Sequence, residues 1–338
     1  MPHAAPTLRD LPPPPPGKTG WPWTEAPPPA PPALPDGSPW PRITLVTPSY
    51  NQGRYIEETL RSILLQGYPA LEYLVFDGGS TDETVEVVRR YEPWIARWAS
   101  ERDRGQTHAI TKGLDAATGE VFNWINSDDQ LAPGALQEVG RVWARERPHL
   151  LAGRALTLDA ADRRVVHDWL PRVPTRPTDF LRPHAVVLPQ PSTFLGTEML
   201  REAGGFREDL HFIMDWELYL RVVLRLRGRL RAVETPALLS TALAHPEAKT
   251  TAQSAAFGTE TKRVLLESRA QWTRAEWVRM ASRLRRMEAQ EAVGEALSGE
   301  GHPLPELAKL PFRYPDVLWS RFWWGGVRRA VAGRRRRG

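Results

Sequence analysis

The 338-residue chain contains no cysteine, which excludes a disulfide framework and thiolate chemistry. It has no run of about 18 apolar residues, so nothing in it reads as a membrane span. Its first residues lack the basic start and continuous apolar stretch of a secretory signal. A reducing cytoplasm fits these absences, and the expected location is cytoplasmic, with the inner face of the membrane as an extension of it. A basic binding face is missing too, although the formal charge is +5. Arg328, Arg329 and Arg334 to Arg337 place six positive charges in the last eleven residues, and taking those six from +5 leaves −1 for everything before Arg328. The basicity belongs to a tail, and nucleic acid is not an expected partner.

Proline is abundant instead. Of 33 prolines, 16 precede Arg42, with an unbroken run from Pro12 to Pro16. Residues 1–41 are therefore expected to be a disordered or semi-rigid extended leader outside the fold. From Arg42 the pattern changes. Ile43 to Thr47 is a short β-branched run, as in a buried strand. Ile56, Leu60, Ile63 and Leu64 then recur at helical spacing. Tyr73 to Phe76 is a second strand, followed by Asp77-Gly78-Gly79 and by Ser80 with Glu83 three residues on, a capping box that predicts a helix start. A weak strand at 94–99, a helix at 107–117 and a strand at 121–125 continue the alternation. Such a chain makes a mostly parallel sheet with flanking helices, which binds ligands beyond the carboxyl ends of its strands. The polar clusters at 48–51, 77–80 and 126–129 all fall at that edge. Beyond 150 the order loosens into a hairpin or meander, a loop with a short strand, and helices at 198–203 and 215–226. Residues 251–338 read as a helical extension with a Trp- and Arg-rich end.

Asp128 and Asp129 close an apolar strand. Adjacent carboxylates repel unless a cation or hydrogen-bond donors offset their charge, and Mg2+ or Mn2+ commonly sits on one or two carboxylates with phosphate oxygens and water. A solvated turn is the plainer alternative for an isolated Asp-Asp pair.

Thr47-Pro48-Ser49-Tyr50-Asn51, Asp77-Gly78-Gly79-Ser80-Thr81-Asp82 and Asn126-Ser127-Asp128-Asp129, in this order and spacing, resemble glycosyltransferase family 2. Asp103-Arg104-Gly105-Gln106 through Lys112-Gly113 is similar to a further family segment, and Met214-Asp215-Trp216-Glu217-Leu218 to its acidic base motif. The resemblance covers residues 42–250. It implies a GT-A fold, a nucleotide-diphosphate sugar donor, a divalent metal and direct displacement with inversion. By position it puts Pro48, Ser49, Tyr50 and Asn51 around the nucleotide, Asp77 on base or ribose, and Asp103, Gly105 and Lys112 along the donor pocket. It puts Asp128 on ribose or metal, Asp129 and His245 on the metal, and Asp215 in the place of the general base. The residues also permit plainer roles: Asp77 bonding its own turn, Lys112 as a solvated charge, Asp215 as a helix cap. Asn126 stands where many relatives carry an aspartate, and Gly78 where a second acid is common.

The aromatic and arginine-rich end suits a peripheral membrane contact, or equally a core-packing helix with a basic tip. A glycan or lipid-linked acceptor and a role in envelope or extracellular polysaccharide synthesis follow from the first of these. The competing functions are a metal-dependent nucleotidyltransferase, which would want a basic Gly-rich phosphate loop that residues 48–53 do not supply, and an inactive sugar-nucleotide-binding module.

Overall fold

A computed structural model describes residues 5–182, 184–245, 254–298, 303–314 and 321–335. The chain divides into two compact units, Met1–Ser254 and Ala255–Gly338.

In the first unit the alternation gives β1 (Ile43–Ser49), α1 (Gly53–Leu64), β2 (Leu71–Asp77), α2 (Thr84–Tyr91), β3 (Arg97–Ser100), α3 (Gln106–Ala116) and β4 (Val121–Trp124). There follow β5 (Gln130–Leu131), α4 (Ala135–Glu146), β6 (Leu150–Asp159), β7 (Val165–Trp169), β8 (Thr193–Gly196), α5 (Thr197–Glu202), α6 (Met214–Arg225) and β9 (Ala232–Ala244). The sheet runs β3-β2-β1-β4-β8-β6-β9-β5, with β7 beside β6. β1 lies parallel to β2 and β4, and β2 parallel to β3. The carboxyl ends of these four strands therefore open on one edge. Antiparallel β8 joins this half to β6, and β6 pairs in parallel with β9.

The helical spacing in α1 does what it should: Ile56, Leu60, Ile63 and Leu64 are all buried in the core with Ile43, Leu45, Tyr73 and Val75. Each such side chain contributes about 1.5–3 kcal/mol on burial. Between β6 and β9 the backbones approach closely at Gly153, where a Cβ would fall 2.3 Å from the Leu239 side chain, and the register shifts there.

Two sequence expectations need correction. The leader does not stand outside the fold: Leu11, Leu34 and Trp40 join the main core, and Trp23 is buried as well. Proline-rich chain is extended and leaves its carbonyls without regular partners. The domain supplies donors for them. Arg61, fully buried, donates to the carbonyls of Pro12, Pro22 and Trp23. Gln137 and Tyr68 reach the carbonyls of Pro28 and Pro41, and the Trp21 indole donates back to Leu131. The second correction concerns the capping box. α2 starts at Thr84, whose N–H donates to Asp82 Oδ1 at 3.0 Å. The Ser80 hydroxyl faces the other way, into the site edge.

The second unit is helical among its described residues. It contains α7 (Ser254–Glu267), α8 (Arg274–Ser298), α9 (Pro303–Arg313) and α10 (Arg321–Arg335). Ala289, Val293, Leu307, Trp323 and Ala330 form its core. Trp323 points inward and donates to the Leu307 carbonyl, whereas Trp324 is half exposed. No described helix is long and apolar enough to cross a membrane.

Candidate active site

Four loops meet at the carboxyl edge of the parallel strands. The first follows β1. Pro48 is enclosed opposite Phe76, while the Tyr50 ring is 59% exposed. Asn51 takes a left-handed backbone (φ 51°), which asparagine tolerates. Its N–H donates to the Ser80 hydroxyl at 2.7 Å and its side-chain oxygen accepts from the Thr81 N–H at 2.9 Å. These two bonds staple the first loop to the second. The Ser49 hydroxyl is buried with no hydrogen-bond partner among the described residues.

Asp77 ends β2 and is 2% exposed. Its Oδ2 accepts from the N–H groups of Gly79 and Ser80 and from the Ser100 hydroxyl, at 3.0, 2.9 and 2.6 Å. Its Oδ1 accepts from the Ser80 hydroxyl at 2.5 Å. This carboxylate organises its own turn and ties it to β3, which is the plainer of the two roles open to it.

In the third loop Asp103 Oδ1 accepts from the Gly105 N–H at 2.8 Å. Gly105 caps α3 with φ 111°, a conformation that favours glycine. The Asp103 carboxylate lies against Gly78, where a Cβ would meet it at 3.0–3.1 Å. The loop thus puts an acid where a side chain at 78 would be. Lys112 points to Glu101 at 2.7 Å and forms an ion pair on the flank of α3.

The fourth loop carries the acid pair. Asp129 is buried, and its carboxyl is pushed well above the usual range by burial first and by the neighbouring Asp128 second. A hydrogen bond from Asn126 Nδ2 to Asp129 Oδ2, 3.0 Å, opposes that shift. Asp128 Oδ2 lies 3.0 Å from His245 Nε2, just past the end of β9. The His245 ring stacks on Tyr55 of α1, with centroids 4.8 Å apart. Hard carboxylate oxygens and a raised acid beyond β4, with an imidazole from the end of β9 beside them, fit a Mg2+ or Mn2+ ion chemically. Among the described residues no group of three or more His, Asp or Glu forms a ready cage.

Asp215 is the second residue of α6. Burial raises its carboxyl, and one oxygen accepts from the Trp216 N–H at 2.7 Å. The start of α6 is tied to the start of α3, because the Thr107 hydroxyl bonds Met214 Sδ at 2.9 Å and the Leu210 carbonyl at 3.2 Å. One residue earlier, Gln106 Nε2 donates to Asn126 Oδ1 at 2.6 Å. The start of α6, which carries Asp215, and the loop of the acid pair are therefore both tied to the first turn of α3. Sequence reading did not single out Tyr55, Gln106 or Gln190. Gln106 stood in a quoted segment, at a helix start facing the edge, and could have been found. Gln190 sits in an aperiodic stretch that gives no signal.

Residues 44–202 match the family description "Glycosyl transferase family 2". The glycosyltransferase Rv1514c of Mycobacterium tuberculosis is 28% identical over 190 residues, covering 54% of this chain and 70% of that protein. TuaG of Bacillus subtilis, named for teichuronic acid biosynthesis, is 34% identical over 101 residues, 29% of this chain and 40% of its own. Staphylococcus aureus TarS 1–349, solved with UDP-GlcNAc, superposes with a TM-score of 0.58 at 18% identity over 81% of each chain. The mannosyltransferase PcManGT of Pyrobaculum calidifontis, solved with GDP-Man and Mn2+, gives 0.52 at 21% identity over 87% of this chain and 89% of its own. The class is a GT-A glycosyltransferase. Within it, the matched residues 44–202 make a glycosyltransferase family 2 domain.

Proposed function

We propose that the chain moves a sugar from a nucleoside-diphosphate donor to an acceptor hydroxyl by direct displacement, with inversion at the anomeric carbon. The observation that carries this reading is the linkage just described: the loop with Asp128 and the buried Asp129, and the helix start with the raised Asp215 carboxyl, are both tied to the first turn of α3. The UDP-GlcNAc and GDP-Man complexes of TarS and PcManGT support a nucleotide-sugar donor, and the Mn2+ of the latter supports a divalent metal.

In this reading Asp128 and Asp129, with His245 beside them, hold the cation, and donor phosphates complete its shell. Bound there, the ion would act as a Lewis acid that offsets charge on the departing diphosphate. The exposed Tyr50 ring, with Ser49 and Asn51, flanks the nucleotide, and Asp103 offers the carboxylate nearest the Asp77 turn. Asp77 itself shapes that turn. Lys112 acts from the flank, through its pair with Glu101. Asp215 accepts the proton of the acceptor hydroxyl as the new C–O bond forms and the bond to the diphosphate breaks. Its raised affinity for protons makes it a stronger base than an exposed aspartate.

The test is turnover of a panel of sugar nucleotides with Mn2+, Mg2+ or EDTA, with the product anomer read by NMR. Metal-dependent turnover with inverted configuration is expected; full turnover in EDTA, or retention, overturns the reading. The name of TuaG supports an envelope glycan or lipid-linked acceptor, and the half-exposed Trp324 above an arginine-rich end supports a peripheral membrane contact. Cosedimentation with anionic but not zwitterionic vesicles, lost on removing residues 321–338, tests that contact.

A further inference from the structure

A chain of side-chain amides runs behind the acid pair, and its direction is fixed. Gln190 Nε2 donates to the Trp124 carbonyl at 2.6 Å and to Asn123 Oδ1 at 3.3 Å. Both partners are acceptors here, because Asn123 Oδ1 also takes the Trp124 N–H and Asn123 Nδ2 is turned to the Pro191 carbonyl. The amino end of Gln190 is thereby held, and its Oε1 faces Asn126 Nδ2 at 3.4 Å. From the other side Gln106 Nε2 donates to Asn126 Oδ1. Asn126 is left one orientation that satisfies all its neighbours, with its amino group toward Gln190 and Asp129 Oδ2.

We propose that Gln190 is a positioning residue for the cation site: it locks the Asn126 amide so that Asn126 holds one oxygen of Asp129 and leaves the other to the ion. The proposal rests on the reading of Asp129 as a cation ligand. It explains why an amide works at 126. A carboxylate there would bring a third acceptor between Asp129 Oδ2 and Gln190 Oε1, with no donor to separate them. It also gives a role to the stretch before β8: the loop that ends at Gln190 reaches across to β4 and sets the geometry of a ligand it does not touch. Outer partners of this kind typically govern metal affinity by about 10–100-fold.

Mn2+ binding to the full chain, read by loss of the free-ion EPR signal, separates this role from simple packing when thermal unfolding in metal-free buffer is measured alongside. Gln190→Leu cannot bond either neighbour and is expected to weaken Mn2+ binding by about tenfold or more. Asn126→Asp keeps the volume, reverses one end of the amide, and is expected to weaken binding as well. A packing role alone would lower Tm and leave the affinity of the folded protein unchanged. Unchanged affinity in folded Gln190→Leu overturns the proposal; so does wild-type or tighter binding by Asn126→Asp, which also decides the matter if the leucine variant does not fold. Asp129→Asn is the control for the underlying reading. If wild type and Asp129→Asn bind Mn2+ equally, the assignment of Asp129 fails, and the role of Gln190 fails with it.

Discussion

Two acids end neighbouring regions of the same sheet edge, and their surroundings are opposite. Asp77 is buried but meets two N–H groups and two hydroxyls. Asp129 is also buried, meets one amide, and sits beside another carboxylate. Burial alone therefore does not mark a reactive acid. What marks it is the shortfall between the charge it carries and the donors that face it. Asp77 is balanced by protein. Asp129 stands short of balance, and so does Asp215, whose carboxyl is raised by desolvation although the backbone N–H groups of Trp216 and of Asp215 itself oppose the shift.

The comparison breaks most sharply at Asp215. Asp215→Asn removes a base and no donor-binding group, so transfer should fall by about 10²–10⁴-fold while sugar-nucleotide binding, followed by calorimetry, stays near wild type. Full transfer by that variant would move the base elsewhere. Next comes Asp129→Asn, which should lower metal-dependent turnover by about 10²–10³-fold, the scale of losing one fixed electrostatic stabiliser. Activity that survives and remains metal-dependent would return Asp129 to the balanced class. Asp77→Asn is the counterpart. Its oxygen can still meet the Gly79 and Ser80 N–H groups, but its amino group then faces the Ser80 hydroxyl, which loses its acceptor, and leaving such a donor unmet costs about 1–3 kcal/mol. In a protein of this size that is a drop of several degrees in Tm. Loss of turnover with Tm unchanged would instead make Asp77 a direct contact of the nucleotide.

The same contrast explains what could be read from sequence. The parallel half of the sheet was legible because its strands and helices carry clean periods, and its edge because acids at strand ends are conspicuous. β9 was missed: Pro236 interrupts it, and its small residues, Ala242 and Ala244 among them, carry no strand pattern. The leader was misread for a different reason. Proline content predicts extended chain correctly, but whether extended chain is solvated or seated depends on donors far away. Arg61, on the helical face of α1 that looked merely charged, is one of these donors. The partners of Asp77 beyond its own turn were equally hidden, since Ser100 comes from the end of β3. Local residues announce an acid. Only the fold says how many donors reach it.

The smallest effect is also the one that tests the shortfall directly. A carboxyl whose folded value is raised costs nothing below the ordinary carboxylate range, where it is protonated in both the folded and unfolded chain. As pH rises from the ordinary value to the raised one, the unfolded chain ionises while the folded protein holds its proton, and stability is lost. Asparagine at 215 keeps an oxygen for the Trp216 N–H and carries no charge to bury. Asp215→Asn should therefore raise Tm at pH 7.5 in metal-free buffer, and that gain should shrink on acidification to below pH 4. For Asp77, which its donors balance, the asparagine variant should be the less stable one at pH 7.5. If Asp215→Asn is destabilised at neutral pH as Asp77→Asn is, Asp215 has donors enough of its own, and the distinction between the two kinds of acid fails at the residue assigned to the chemistry.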